Sequence, residues 1–70
     1  MNKHELRAEM LRANFTNKKL AESLKITERT LYDKLDSKYD FKLTEIQTII
    51  RVLNLSDKKV KDIFFNNNVE

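Results

Sequence analysis

The sequence predicts an all-α domain of five short amphipathic helices, and three observations carry that prediction. Apolar residues recur at spacings of three and four in five separate blocks along the 70 residues. At the start of four blocks, an apolar residue just before the helix is answered by another five positions later, the spacing of a hydrophobic staple. Glycine and proline are both absent while 36% of residues are charged, so polar caps must make the corners.

The first helix, about residues 4–13, follows from Leu6, Met10, Leu11 and Ala13. The second, about 17–24, carries Leu20, Ala21 and Leu24 behind Thr16 as cap, with Phe15 stapled to Leu20. The third, about 28–36, carries Leu31 and Leu35 behind Thr27, with Ile26 stapled to Leu31. The fourth, about 43–53, has the strongest pattern, Leu43, Ile46, Ile49, Ile50 and Leu53, with Phe41 stapled to Ile46. The fifth, about 57–64, carries Val60, Ile63 and Phe64 behind Ser56, with Leu55 stapled to Val60. Thr16, Thr27 and Ser56 can each accept a bond from a first-turn amide, worth about 1 kcal/mol. Lys42, at the equivalent place before the fourth helix, cannot; Thr44 to Gln47 has the spacing of a capping box, which leaves that start open by two residues. The corners fall at Asn14-Phe15, Lys25-Ile26, a longer Ser37 to Phe41 loop and Asn54-Leu55. Asn14 and Asn54 suit the left-handed conformation that ends a helix; Lys25 suits it less, which predicts local strain. The domain is expected over residues 1–65, with 66–70 a flexible tail.

A chain of this size buries only about 60% of its unfolded surface, which leaves room for one core and none for a sizeable catalytic cleft. There is no cysteine, and the single histidine, His4, lies near an N-terminus expected to fray, so neither thiolate nor metal chemistry has a basis. No catalysis, metal or cofactor is expected. A formal net charge of +3 permits an anionic partner without specifying one. No apolar run approaches the ~20 residues of a membrane span, and no signal-peptide stretch follows Met1, so an intracellular, soluble chain is expected. The stripe from Leu43 to Leu53 fits burial better than a membrane surface.

The second helix, a turn of three to four residues and the third helix have the lengths of a helix-turn-helix, which are also the lengths of two helices in a plain bundle. The segment Phe15-Thr16-Asn17-Lys18-Lys19-Leu20-Ala21-Glu22-Ser23-Leu24, followed by Ile26-Thr27, Leu31 and Leu35, resembles the Cro and repressor helix-turn-helix family of temperate phages. Phe41-Lys42-Leu43-Thr44-Glu45-Ile46, continuing through Leu53-Asn54-Leu55-Ser56 to Ile63-Phe64-Phe65, is similar to the fourth and fifth helices of short phage regulators. Size, helix order and the closing aromatic pair look most like the small modulator-of-repression antirepressors, which act by complexing the phage repressor. The resemblance spans nearly all of the chain. It implies a compact five-helix Cro/repressor-like fold and a transcriptional regulator of a lysogeny switch, working in the cytoplasm of a bacterial host.

Carried over residue by residue, the resemblance gives Asn17 and Lys18, with Lys19 nearby, the phosphate-holding place at a helix start. It gives Glu28, Arg29, Tyr32 and Asp33 the base-reading place in the major groove. If Leu31 and Leu35 point inward, Arg29, Asp33 and Asp36 point most directly outward at 100° per residue, with Tyr32 beside them. From Glu28 to Asp36, Arg29 and Lys34 stand against Glu28, Asp33 and Asp36, a balance of −1. From Asn17 to Lys25, Lys18, Lys19 and Lys25 stand against Glu22, a balance of +2, so the basic surface lies beside the third helix instead of on it.

Two functions follow. In an operator-binding repressor, Lys18, Lys19, Lys34 and Lys38 would meet phosphates while Arg29 and Tyr32 read bases. In an antirepressor, the mixed-charge third helix with its central Tyr32 would dock on the basic DNA-contact surface of a cognate phage repressor. The resemblance to the antirepressors favours the second, and the acids agree with it, because carboxylates in the major groove subtract from the electrostatic attraction that supplies most DNA affinity. A plain alternative is that the acids pair with Arg29 and Lys34 on a solvated face. Elsewhere, one of Phe64 and Phe65 should fill the core while the other faces out. Tyr39 and Phe41 should be core lids, Lys58, Lys59 and Lys61 a solvated helix face, and Met10 core filler.

Overall fold

A computed structural model describes residues 1–65 and orders them as α1 (Lys3–Arg12), α2 (Asn17–Leu24), α3 (Glu28–Leu35), α4 (Leu43–Leu53) and α5 (Asp57–Phe64), with no strand among the described residues. The tail expected over 66–70 lies outside the described residues.

The helix starts show how side chains replace glycine and proline as punctuation. Thr16 Oγ1 accepts from the Lys19 amide at 3.1 Å, Thr27 Oγ1 from Thr30 at 3.1 Å and Ser56 Oγ from Lys59 at 3.2 Å. The start left open before the fourth helix closes on Lys42. No side chain caps from that position; instead Glu45 reaches back and its Oε1 accepts from the Lys42 amide at 2.9 Å, so the reciprocal partner is Glu45 and not Gln47. The first helix begins a residue earlier than its apolar pattern, because Asn2 Oδ1 accepts from the Glu5 amide at 3.2 Å. The Asn2 amide in turn donates to the Ile63 carbonyl at 2.7 Å, so the N-terminus expected to fray is tied to the end of α5. Thr27→Ala should lower stability by about 1 kcal/mol, read as a lower urea midpoint, since it leaves a first-turn amide of α3 without its partner.

Four non-glycine residues take the left-handed conformation: Asn14 (φ 58°), Lys25 (φ 61°), Ser37 (φ 65°) and Asn54 (φ 53°). For Lys25 and Ser37, which lack the asparagine side chain's local compensation, that conformation costs about 1 kcal/mol each. α3 ends at Leu35, one residue before the expected limit, with Asp36 as its C-cap, and Ser37 turns the chain away.

Leu6, Leu20, Leu31, Ile49 and Ile63, one from each helix, have essentially no solvent exposure and form the centre on which the helices converge. Met10, Ala21, Leu24, Leu35, Leu53 and Leu55 complete the buried cluster, and the staple residues Phe15, Ile26 and Phe41 pack on it from outside. α2 packs on both α3 and α4, while α1 packs against α5. That last pair is antiparallel, with Asn2 meeting Ile63 and Lys59 reaching Glu5 at 3.2 Å and Glu9 at 3.6 Å.

Burial departs from the sequence pattern at several apolar and charged positions. Leu11 is 82% exposed because the core stripe of α1 runs through Leu6, Glu9 and Met10 and Leu11 lies past its edge, and Ala13 is exposed as the C-cap beyond the last turn. Leu43 is exposed because it sits two residues, or about 200°, from Glu45 on the buried stripe of α4. Tyr39 is exposed and no lid, whereas Phe41 is half-buried with its ring edge-on to Phe64 at 6.5 Å. Phe64 is half-buried and Phe65 exposed, as the adjacent pair requires. Lys59 is no part of a solvated face: it bridges α5 to Glu5 and Glu9, and Glu9 also pairs with Arg12. The Glu5 hydrogen bond holds the Lys59 ammonium above its ordinary value.

Candidate functional site

The site is built on the corner between α2 and α3. Lys25, Ile26 and Thr27 span it, with the Lys25 amide donating to the Glu22 carbonyl at 3.1 Å and the Ile26 amide to Ala21 at 3.0 Å. These two bonds satisfy the end of α2 in the pattern that a left-handed residue permits, which is how the corner closes without glycine. Leu20, Ala21 and Leu24 of α2 and Leu31 and Leu35 of α3 enter one core, so the opposite side of α3 is its solvent face.

On that face Glu28, Arg29, Tyr32 and Asp36 are exposed, with the Arg29 side chain 85% open to solvent. Asp33 is less open than its helical angle suggests. Its side chain is 23% exposed because it lies between Arg29 (4.0 Å) and Lys38 (3.8 Å). Asp36 pairs with Lys3 of α1 at 3.3 Å, while Glu28 has no ion pair among the described residues. These exposed pairs each contribute little to stability. At the start of α2, Asn17 is half-buried, and Lys18 and Lys19 are exposed with no ion pair among the described residues. All eight residues singled out in the sequence therefore lie on α2, α3 or the residue that ends α3.

Lys34 contradicts both roles expected of it. It sits on the core side of α3 with Leu31 and Leu35, and its side chain is 8% exposed. Its Nζ lies 2.8 Å from Glu45 Oε1 and 3.4 Å from the Asp40 carbonyl, and 5.8 Å from the centre of the Phe41 ring. It is therefore unavailable to phosphates and does not pair with the acids of its own helix. The aliphatic stem fills core space while the ammonium crosses to α4. Burial pushes Glu45 upward, but the Lys34 ammonium and the Lys42 amide outweigh it and hold the carboxyl below its ordinary value. With Lys34 spent on Glu45, the outer side of α3 carries one base, Arg29, against Glu28 and Asp33, and Asp36 follows as its C-cap.

Residues of α1, which no sequence pattern marks, join this face. Lys3 and Arg7 line a small hollow together with Tyr32, Leu35 and Asp36. Nothing in the periodicity of α1 marks these two; only its packing across the end of α3 brings them there. Among the described residues no three His, Asp or Glu side chains gather as a metal site, and no helix is long and apolar enough to cross a membrane.

Fold and site together define a small all-α domain that presents one mixed-charge helix beside a basic helix start. The chain belongs to the family described as protein of unknown function DUF739, which matches residues 4–67. No curated protein and no solved structure matches it.

Proposed function

We propose that this chain is an antirepressor of a phage-type lysogeny switch: a Cro/repressor-like helix-turn-helix domain that docks its α2–α3 face on the DNA-binding domain of a cognate phage repressor in the bacterial cytoplasm. The inward turn of Lys34 carries this reading. A helix that reads DNA gains from every cation it can offer the groove, and here one of the two on α3 is committed to Glu45. What remains exposed is Arg29 and Tyr32 beside Glu28 and Asp36, with the partly buried Asp33 held between Arg29 and Lys38. Carboxylates of that kind repel phosphates but complement the arginines and lysines with which a repressor holds DNA. Tyr32 and Arg29 are the residue types that most often anchor a protein interface. The exposed Lys18 and Lys19 support the other reading, a conventional Cro-like repressor that binds operator DNA, and one substitution separates the two.

Asp33→Lys should weaken binding to the repressor's DNA-binding domain about tenfold, by placing a cation against a basic surface. If α3 meets DNA, the same change should strengthen binding to an operator duplex, by adding a phosphate contact. Titration of both partners against wild type and variant decides between them. An Asp33→Lys protein that changes neither affinity would reduce the acids to a solvated face.

A further inference from the structure

Building on the antirepressor reading, we propose that the partner is gripped by α1 as well as α3, through a furrow along α1, walled by the start of α2 at one end and by α3 at the other, that takes one partner helix of defined polarity. Three hollows share walls along the outer side of α1. The first, of about 410 Å³, lies where α1 gives way to α2 and is lined by Arg7, Met10, Leu11, Phe15 and Asn17 among others. The second, of about 110 Å³, has Arg7 as its shared wall and runs between Lys3 and Tyr32. The third, of about 400 Å³, continues past Lys3 and Asp36 to Met1 and Ser37. Arg7 thus joins the first to the second, and Lys3 with Asp36 joins the second to the third. Leu11, Arg7 and Lys3 stand at successive spacings of four along α1, so the furrow spans about 12 Å, two turns of helix.

The chemistry along it is ordered. At one end Leu11 is the most exposed large apolar side chain of the described residues, above a floor of Met10 and Phe15. In the middle, Arg7 is exposed and has no carboxylate within ion-pair distance among the described residues. At the far end Asp36 is acidic, and Lys3 answers it only across an exposed pair. The complement is an amphipathic partner helix with a large apolar residue, an acid about four positions on, and a base about four beyond that. A second copy of this chain fits poorly, because two α1 helices laid face to face about a two-fold axis would set Arg7 against Arg7.

The test uses the whole chain, labelled with nitrogen-15, and the unlabelled DNA-binding domain of the cognate repressor. Amide shifts are expected at Lys3, Arg7, Leu11 and Asn17 as well as along α3. Leu11→Ser and Arg7→Glu should each weaken binding about tenfold; both side chains are exposed, so the variants should keep the wild-type spectrum outside their neighbourhood. Shifts confined to α3, with both variants binding as wild type, would overturn the furrow and leave the antirepressor reading standing. Absence of any complex with the repressor domain would overturn both. Concentration-dependent shifts at Leu11 and Arg7 without repressor would assign the furrow to a second copy and so also overturn the proposal.

Discussion

Lys34→Ala is expected to destabilise the domain by about 3 kcal/mol, because it leaves Glu45 buried without its cation. A chain this small has a total stability of roughly 5 kcal/mol, so the variant should stay folded by only about 2 kcal/mol and unfold at a much lower urea concentration. The loss reaches further than one ion pair. Lys34 also holds the Asp40 carbonyl and lies beside the Phe41 ring, so the loop from α3 to α4 loses its anchor. The pH dependence has a definite sign. Glu45 titrates below its unfolded value of 4.5, so its contribution is present above about pH 4.5 and is lost as the pH falls through the lower folded value. The gap between wild type and Lys34→Ala should therefore be widest near neutrality and narrow below pH 4.5, as measured by urea unfolding across that range. Glu45→Gln keeps an acceptor for the Lys42 amide and should cost less than Lys34→Ala.

Leu31→Ala is expected to cost about 3 kcal/mol through the cavity left at the centre of the fold. Leu31 is the one fully buried side chain of α3, the helix that carries Arg29, Tyr32 and Asp33. Its loss should therefore lower the urea midpoint and partner binding together. Asp33→Lys, on the solvent side of the same helix, should change binding while leaving the midpoint nearly unmoved. That contrast separates the role of α3 as a packing element from its proposed role as a contact surface.

Much of the fold was legible because local rules and tertiary packing agree here. Phe15, Ile26, Phe41 and Leu55 announce four helix starts, Thr16, Thr27 and Ser56 cap three of them, and Asn14 and Asn54 take the left-handed corners. The failures share one physical origin. Lys34 and Lys59 read as surface residues because lysine is almost always exposed, and their partners lie on other helices, Glu45 for one and Glu5 with Glu9 for the other. A helical wheel does place Lys34 with Leu31 and Leu35, and that spacing was the available signal. Leu11 and Leu43 were counted with the core because they are apolar, yet exposed leucines are ordinary and only packing reveals which are left outside. The candidate face was legible on α2 and α3, whose residues are neighbours in sequence. The share of Lys3 and Arg7 depends on where α1 crosses the end of α3, which no local pattern encodes.

The most direct measurement is a calorimetric titration of the whole chain against the cognate repressor's DNA-binding domain and, separately, against operator DNA, each at two salt concentrations. For an antirepressor, a stoichiometric complex with the repressor domain that weakens as salt rises is expected, with no sequence-specific binding to the operator by this chain alone. Specific operator binding without any repressor complex would contradict it.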